Sequence, residues 1–303
     1  MTTFSIAAVQ LVLEPKNNVE AICRMVARVK ARFPWVDMIL FGELAPHGYS
    51  TLNAEELPSP TEARFQETAA KHGVWLLPGS LFIRENGQIF NSAPVIDRSG
   101  EIVGRYRKMF PFYPYEAGVA PGQEFLVFDV PEVGRLGVSI CYDMWFPETS
   151  RTLAWMGAEV ILHPTLTNSI DRDVERTMVR ATAVQNQCYV VDVNNAGGAM
   201  GVGRSGLVGP EGDVIYEAGS GEEVLAYELD LARVRRVRER GIFGLGQVLK
   251  SFRDSPVSFP PYTQGHASPS LQALGPLQLQ QSASADVPGE TEAPPQIAAV
   301  SAE

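Results

Sequence analysis

GVSICYDMWFPETSRTLAWMGAEVILHPT, residues 137–165, carries an apolar run into Cys141, a short loop, a helix and a second apolar run. Pro147 suits the first turn of a helix, and the pattern predicts one from about Pro147 to Met156. Gly157 then breaks the pattern, and AEVILHPT reads as a buried strand. A further helix is expected near 171–187. Strand, elbow, helix, strand and helix in succession mark an α/β chain rather than an all-α or all-β one.

The same alternation extends in both directions. FSIAAVQLVL (4–13) reads as a first strand. In NNVEAICRMVARVKARF (17–33), Val19, Ile22, Cys23, Val26 and Val29 share one helical face. DMILFGE is a second buried strand that ends at Glu43, and a helix around 61–72 follows. Residues 74–108 read as antiparallel strands with turns at Asn86-Gly87 and Ser99-Gly100. CYVVDVNNAG, GLVGPEGDVIYEAG and EEVLAYELDL supply the remaining strands. VDMILFGELAP (36–46) is echoed by AEVILHPTLTN (158–168), each after a helix, which hints at two similar halves.

Beyond Tyr262 the composition changes. Residues 263–303 contain no aromatic residue, Lys or Arg and are rich in Pro, Gln, Ser and Ala. Such a segment buries too little apolar surface to offset its ordering entropy. One folded domain over 1–262 and a mobile low-complexity tail over 263–303 are therefore expected. The formal charge of −10 argues against a nucleic-acid partner. No apolar run approaches bilayer thickness, so no membrane partner is expected. The start of the chain lacks the basic region of a signal peptide. Three widely spaced cysteines form neither a disulfide framework nor a metal pair, which fits a cytoplasmic protein with reduced thiols.

Cys23 on a helical face and Cys188 at a strand start read as buried structural thiols. Cys141 sits at a strand-to-helix elbow, where a helix N-terminus would favour thiolate. Spacing alone leaves it open whether Cys141 is a nucleophile or one more buried thiol. A nucleophilic cysteine needs a base. His163 is the best-placed histidine for lining a pocket, but nothing in the pattern signals a Cys-His pair. Carboxylates stand out more. Glu43 ends an apolar run, where a charge is costly unless paired or used. Lys108 precedes an aromatic-rich loop that ends at Glu116. An acid, an amine and a thiol at strand ends can converge on one edge of a sheet.

At this point the chain resembles the nitrilase superfamily of carbon–nitrogen hydrolases, in its amidase- and carbamoylase-like branch. DMILFGELAPHGY (37–49) is similar to the motif of the general-base glutamate. YRKMFPFYPYEAGVAPG (106–122) is similar to the lysine motif, and residues 137–165 to the nucleophile motif with its helix and strand. IAAVQ (6–10), RATAVQNQCYVVDVNNAG (180–197) and GPEGDVIYEAG (209–219) match in order, so the likeness spans about residues 4–235. It implies a four-layer α-β-β-α sandwich, with Glu43, Lys108 and Cys141 as a triad and Glu116 as a supporting acid. It also implies that Lys108 and the Tyr142 backbone N–H stabilise an oxyanion, that no metal or organic cofactor is needed, and that the chain assembles as a homodimer or higher homo-oligomer. Tyr49, Phe112, Trp145 and His163 are the candidates for lining the substrate pocket.

Nitrile-cleaving members follow the cysteine with Trp-Glu, whereas this chain has Tyr142-Asp143. That favours a small carboxamide or N-carbamoyl substrate over a nitrile. Met144 and Trp145 stand where N-carbamoyl-D-amino-acid hydrolases carry basic residues, which counts against that substrate. A non-catalytic member that uses the sandwich as an interaction surface is the rival reading. Two other patterns carry little. GVGRSG (201–206) fits a dinucleotide fingerprint but precedes a strand instead of opening a helix. RVRRVRER (233–240) reads as a solvated helix face.

Overall fold

The computed structural model describes residues 3–113, 115–262, 268–275 and 277. Of the tail expected at 263–303, all but 268–275 and 277 lies outside the described residues. The first half supplies strands β1 (Thr3–Gln10), β2 (Met38–Phe41), β3 (Glu55–Glu56), β4 (Trp75–Leu77), β5 (Leu81–Glu85), β6 (Gln88–Ile96) and β7 (Ile102–Arg107). The second half supplies β8 (Leu126–Val130), β9 (Gly134–Val138), β10 (Val160–Thr165), β11 (Tyr189–Asn194), β12 (Gly206–Val208) and β13 (Val214–Glu217). A last strand, β14 (Glu223–Asp230), crosses back to pair antiparallel with β1.

Two sheets result. The first runs β14-β1-β2-β4-β6-β5-β3 with β7 on the free side of β6, and the second runs β13-β12-β11-β10-β9-β8. At the heart of each lie three parallel strands, β1-β2-β4 and β9-β10-β11, with antiparallel strands beside them. The expected echo between residues 36–46 and 158–168 therefore marks β2 and β10, the central strands of the two parallel trios.

Side-chain alternation explains the layering. Along β1, Phe4, Ile6 and Ala8 face the core between the sheets, whereas Ala7 and Val9 face helices. Helices α1 (Val19–Arg32) and α2 (Pro60–His72) cover the first sheet, and α3 (Pro147–Trp155) and α4 (Arg172–Asn186) cover the second. Phe4, Leu40, Val138 and Leu162 have essentially no exposed surface. Each such burial contributes about 1.5–3 kcal/mol before entropy is counted. The expected α-β-β-α sandwich is the fold observed. Asn86 and Gly87 both take positive φ, 51° and 78°, in the two-residue turn between β5 and β6, as the Asn-Gly pair predicts.

One expectation needs correcting. Residues 233–240 lie in helix α5 (Leu231–Arg240), but its arginines are not a simple solvated face. Arg233 pairs with Glu211 and Asp213, Arg235 with Glu159, and Arg238 donates to the carbonyls of Ala158 and Gln187. These contacts fasten the helix to the second sheet. Among the described residues no helix is long and apolar enough to cross a membrane.

Candidate active site

The carboxyl ends of the central strands of both sheets converge. Glu43 lies two residues beyond β2, Lys108 directly follows β7, and Cys141 lies three residues beyond β9. Main-chain bonds fix the meeting point. Glu43 N donates to the Thr165 carbonyl at the end of β10 (3.1 Å), and Leu166 N donates to Glu43 Oε2 (2.9 Å). The two echoed segments are thus joined to each other at the site.

Local backbone sets the angles. Leu44 (φ 52°) turns the chain sharply after Glu43, and its N–H is taken by the buried Ser80 hydroxyl. That contact needs Gly79, whose φ is 89° and whose missing Cβ would lie 2.0 Å from the Gly42 carbonyl oxygen. Cys141 itself has φ 45°, a costly conformation for a residue with a Cβ, at the first position of a 3₁₀ turn over Cys141–Trp145. Asp143 holds that turn in place. Its buried carboxylate accepts from Ile140 N (3.1 Å), Phe110 N (2.8 Å) and the Tyr106 hydroxyl (2.7 Å).

Three charged groups are packed with little exposed surface. Glu43 and Lys108 are each 2% exposed and Glu116 9%. Lys108 Nζ donates to Glu43 Oε1 at 2.8 Å and to Glu116 Oε2 at 2.6 Å. Asn91, on β6, donates one amide hydrogen to Glu43 Oε1 and the other to Glu116 Oε1, both at 2.8 Å. Phe112 N completes the cradle of Glu116 at 2.6 Å. Cys141 Sγ neighbours the Glu43 carboxylate and feels the Lys108 ammonium. Glu43, Lys108, Glu116 and Cys141, four residues singled out from sequence, are therefore brought together.

Burial and neighbouring charges shift all three groups. Protein crowding around the sulfur, then the Glu43 charge, push the Cys141 thiol well above its ordinary range despite Lys108. This runs against the expectation of a thiolate favoured by a helix N-terminus; α3 begins only at Pro147, and the Glu43 carboxylate neighbours the sulfur. Burial works against the Lys108 charge but is outweighed by Glu43, Cys141 and Glu116, so its ammonium is held well above the usual range. Burial raises the Glu43 carboxyl above its ordinary value even with Lys108 beside it.

A pH consequence follows from the raised carboxyl. A base must be ionised to accept a proton, so activity is lost as pH falls through the Glu43 value. The acid limb of kcat/KM is expected above the ordinary glutamate range of about 4.3. A profile that stays flat down to about pH 4 would contradict this placement of Glu43.

The pocket candidates divide. Phe112 and Tyr142 lie 4.8 Å apart between ring centroids, and Tyr142 and Trp145 5.8 Å, so these rings form an aromatic group beside Cys141. Tyr49 is about half exposed and has no hydrogen bond to the acidic, amine or thiol groups among the described residues. His163 is completely buried and lines no open surface, which corrects its assignment to the pocket wall. By the alternation of β10, His163 shares a side with Ile161 and Thr165, and that side is covered by α4. Sequence reasoning missed Asn91 and the structural part of Asp143. Asn91 in the strand GQIFNSAPVI is a polar residue within an apolar run, the kind of signal that Glu43 gave.

Cys23 accepts a hydrogen bond from the Thr68 hydroxyl on α2, and Cys188 is pushed up to about 12 by burial. Both are the inert buried thiols expected.

Comparison with known proteins gives a consistent picture. The carbon-nitrogen hydrolase family pattern matches residues 5–239. The omega-amidase NIT2-A of Xenopus laevis is 27% identical over 258 residues, covering 79% of this chain and 93% of that protein. The 2-oxoglutaramate amidase of Bacillus subtilis (strain 168) is 31% identical over 212 residues, covering 67% and 82%. Among solved structures, a mutant amidase from Nesterenkonia sp. AN1 superposes with a TM-score of 0.69 and 26% identity, covering 76% of this chain and 92% of that one. That structure shows covalent addition of the acetamide moiety of fluoroacetamide at the active-site cysteine.

Proposed function

The chain belongs to the carbon–nitrogen hydrolase family of the nitrilase superfamily, and from that premise we propose that it is a cysteine-dependent amidohydrolase of small carboxamides. Glu43 takes the Cys141 thiol proton as the sulfur attacks the amide carbon. The carbonyl electrons move onto oxygen, where Lys108 and the Tyr142 N–H meet the charge. The first N–H groups of the Cys141–Trp145 turn have no partner within it, which leaves the Tyr142 donor free for this role. Glu43 then returns the proton to nitrogen and ammonia departs, leaving an acyl thioester on Cys141. Water, activated by Glu43, cleaves the thioester and restores the thiol. Glu116 and Asn91 keep Lys108 and Glu43 in register throughout.

The observation that carries this reading is the buried Glu43–Lys108–Glu116 group, joined by hydrogen bonds of 2.6–2.8 Å, beside the Cys141 sulfur. Burial disfavours the thiolate, so the sulfur needs a base in contact, and the position of Glu43 supports that role. Likeness to the three amidases named above supports a carboxamide substrate over N-carbamoyl compounds and nitriles. An ammonia-release screen across all three classes tests the choice. Turnover confined to nitriles or N-carbamoyl compounds would overturn the substrate class, and no turnover of any would favour the non-catalytic rival.

The three free cysteines suit a reducing cytoplasm. We assign a homodimer on the strength of an exposed aromatic strip. Trp155, Phe252, Phe259 and Tyr262 contact one another in series at 5.7–5.8 Å, and Trp155 is 60% exposed. Light scattering should give about twice 33.1 kDa, with Trp155→Glu shifting it toward one. A wild-type monomer at micromolar concentration would sink the assignment.

A further inference from the structure

A second buried charge cluster adjoins the nucleophile, and the hydrolysis steps leave it unused. Arg172 and Glu175 stand one turn apart at the start of α4, Asp192 on β11 and His163 on β10, and none is more than 2% exposed. Arg172 donates to Glu175 Oε2 at 2.7 Å, to Asp192, and to the carbonyls of Gly203 and Arg204. Glu175 also accepts from the hydroxyls of Thr165 and Thr167, each at 2.6 Å. His163 Nε2 lies 3.8 Å from Glu175 Oε1 and 4.0 Å from Asp192 Oδ1. These separations are too long for hydrogen bonds, and neither ring nitrogen has a partner among the described residues.

Thr165 is where this cluster meets the chemistry. Ser139 N bonds the Leu162 carbonyl and Glu43 N the Thr165 carbonyl, both at 3.1 Å, which seats Thr165 alongside the Cys141 turn; its hydroxyl neighbours the sulfur and has one hydrogen to donate. At rest that hydrogen goes to Glu175 Oε1. Once Glu43 removes the thiol proton, the sulfur becomes a second anionic acceptor beside the same hydroxyl. Glu175 keeps Arg172 and Thr167 as donors on Oε2, and Oε1, once Thr165 has turned away, faces the His163 ring 3.8 Å off.

We propose that Thr165 is a further catalytic residue, turning its hydroxyl from Glu175 to the Cys141 sulfur as the thiolate forms. Glu175, Arg172, Asp192 and His163 are then positioning residues that set how readily the hydroxyl turns. The step exchanges one hydrogen bond for another and breaks no covalent bond. It rests on Cys141 being the nucleophile.

The test follows the pH dependence of Cys141 alkylation by iodoacetamide in the full chain, located by peptide mass spectrometry, together with kcat and KM for the best amide from the screen. The charged groups facing the sulfur are Glu43, Lys108 and Glu175. Behind them stand Glu116 on the loop after β7, Asp143 in the nucleophile turn, Arg172 on α4, Asp192 on β11 and His163 on β10. Thr165→Val removes only the hydroxyl. It is expected to lower kcat about ten- to a hundredfold with KM little changed and to move alkylation to higher pH. Thr165→Ser should recover most of that loss. Glu175→Gln should move alkylation the opposite way, to lower pH, because a competing acceptor and a nearby negative charge are both removed. A kcat loss at unchanged KM that Thr165→Ser restores is what a purely structural role for Thr165 does not predict. A folded Thr165→Val protein with wild-type kcat and alkylation profile would overturn the proposal. So would a Glu175→Gln profile that stays put or moves to higher pH, and that variant decides alone if Thr165→Val does not fold. A wild-type Cys141 that reacts at no pH would instead sink its role as nucleophile.

Discussion

Cys141→Ala is expected to reduce ammonia release by at least about 10⁴-fold while leaving the fold intact. The size of the loss follows from the division of labour. With the sulfur gone, Glu43 has no thiol to deprotonate, and Lys108 has an oxyanion to stabilise only if water attacks directly. The fold should survive because the substitution changes little besides the sulfur. Alanine keeps the Cβ, so the strain at φ 45° is the same in both proteins. The turn is held by Asp143 through Ile140, Phe110 and Tyr106, none of which involves the sulfur. Thermal unfolding within a few degrees of wild type, paired with the ammonia assay, checks both halves of this result. Residual activity above about one-tenth of wild type would remove Cys141 from the reaction.

Lys108→Met should damage activity and stability together. The methionine fills a similar volume, but Glu43 and Glu116 are left buried with no cation between them. Breaking such a pair by removing one partner costs about 3–5 kcal/mol. To avoid two bare charges, at least one of the carboxyls takes a proton, and a protonated Glu43 is no base. The loss of the oxyanion contact adds about 10²–10³-fold to the loss of the base. Urea unfolding should therefore show a lower midpoint, and kcat should fall by about 10³-fold or more. The double variant Lys108→Met with Glu116→Gln separates the two effects. It should recover part of the stability, since one buried charge is gone, and none of the activity. A Lys108→Met protein as stable as wild type would mean that Lys108 does not neutralise the buried carboxylates.

The parts of this molecule that could be read in advance share one property. Val19, Ile22, Cys23, Val26 and Val29 fall on one helical face, and that face is the buried side of α1. Glu43 and Cys141 each end an apolar run and Lys108 stands between a predicted strand and an aromatic-rich loop, and each of the three stands at a carboxyl end of a strand. Where the reading failed, a pattern was present but ambiguous. On α4, Arg172, Glu175, Val179, Thr182, Ala183 and Asn186 make one buried stripe, so the two charges lie in register with the apolar residues. Periodicity alone would have placed them inside, but only partners can say why a charge is tolerated there. The arginines of α5 were read as solvated for the same reason, since Glu159, Glu211 and Asp213 lie far away in sequence. His163 was assigned to a pocket wall that the α4-covered side of β10 does not provide.

The sequence by itself determined the mixed α/β class, the order of strands and helices, and the three strand ends where chemistry would gather, because burial of apolar surface imposes local periods of two and about 3.6 residues. The tertiary structure alone decided which polar groups meet: Asn91 between two carboxylates, Asp143 beneath the nucleophile turn, and Thr165 between Glu175 and the sulfur. A buried polar group is stable only with a partner, and that partner is chosen by distance in space rather than along the chain.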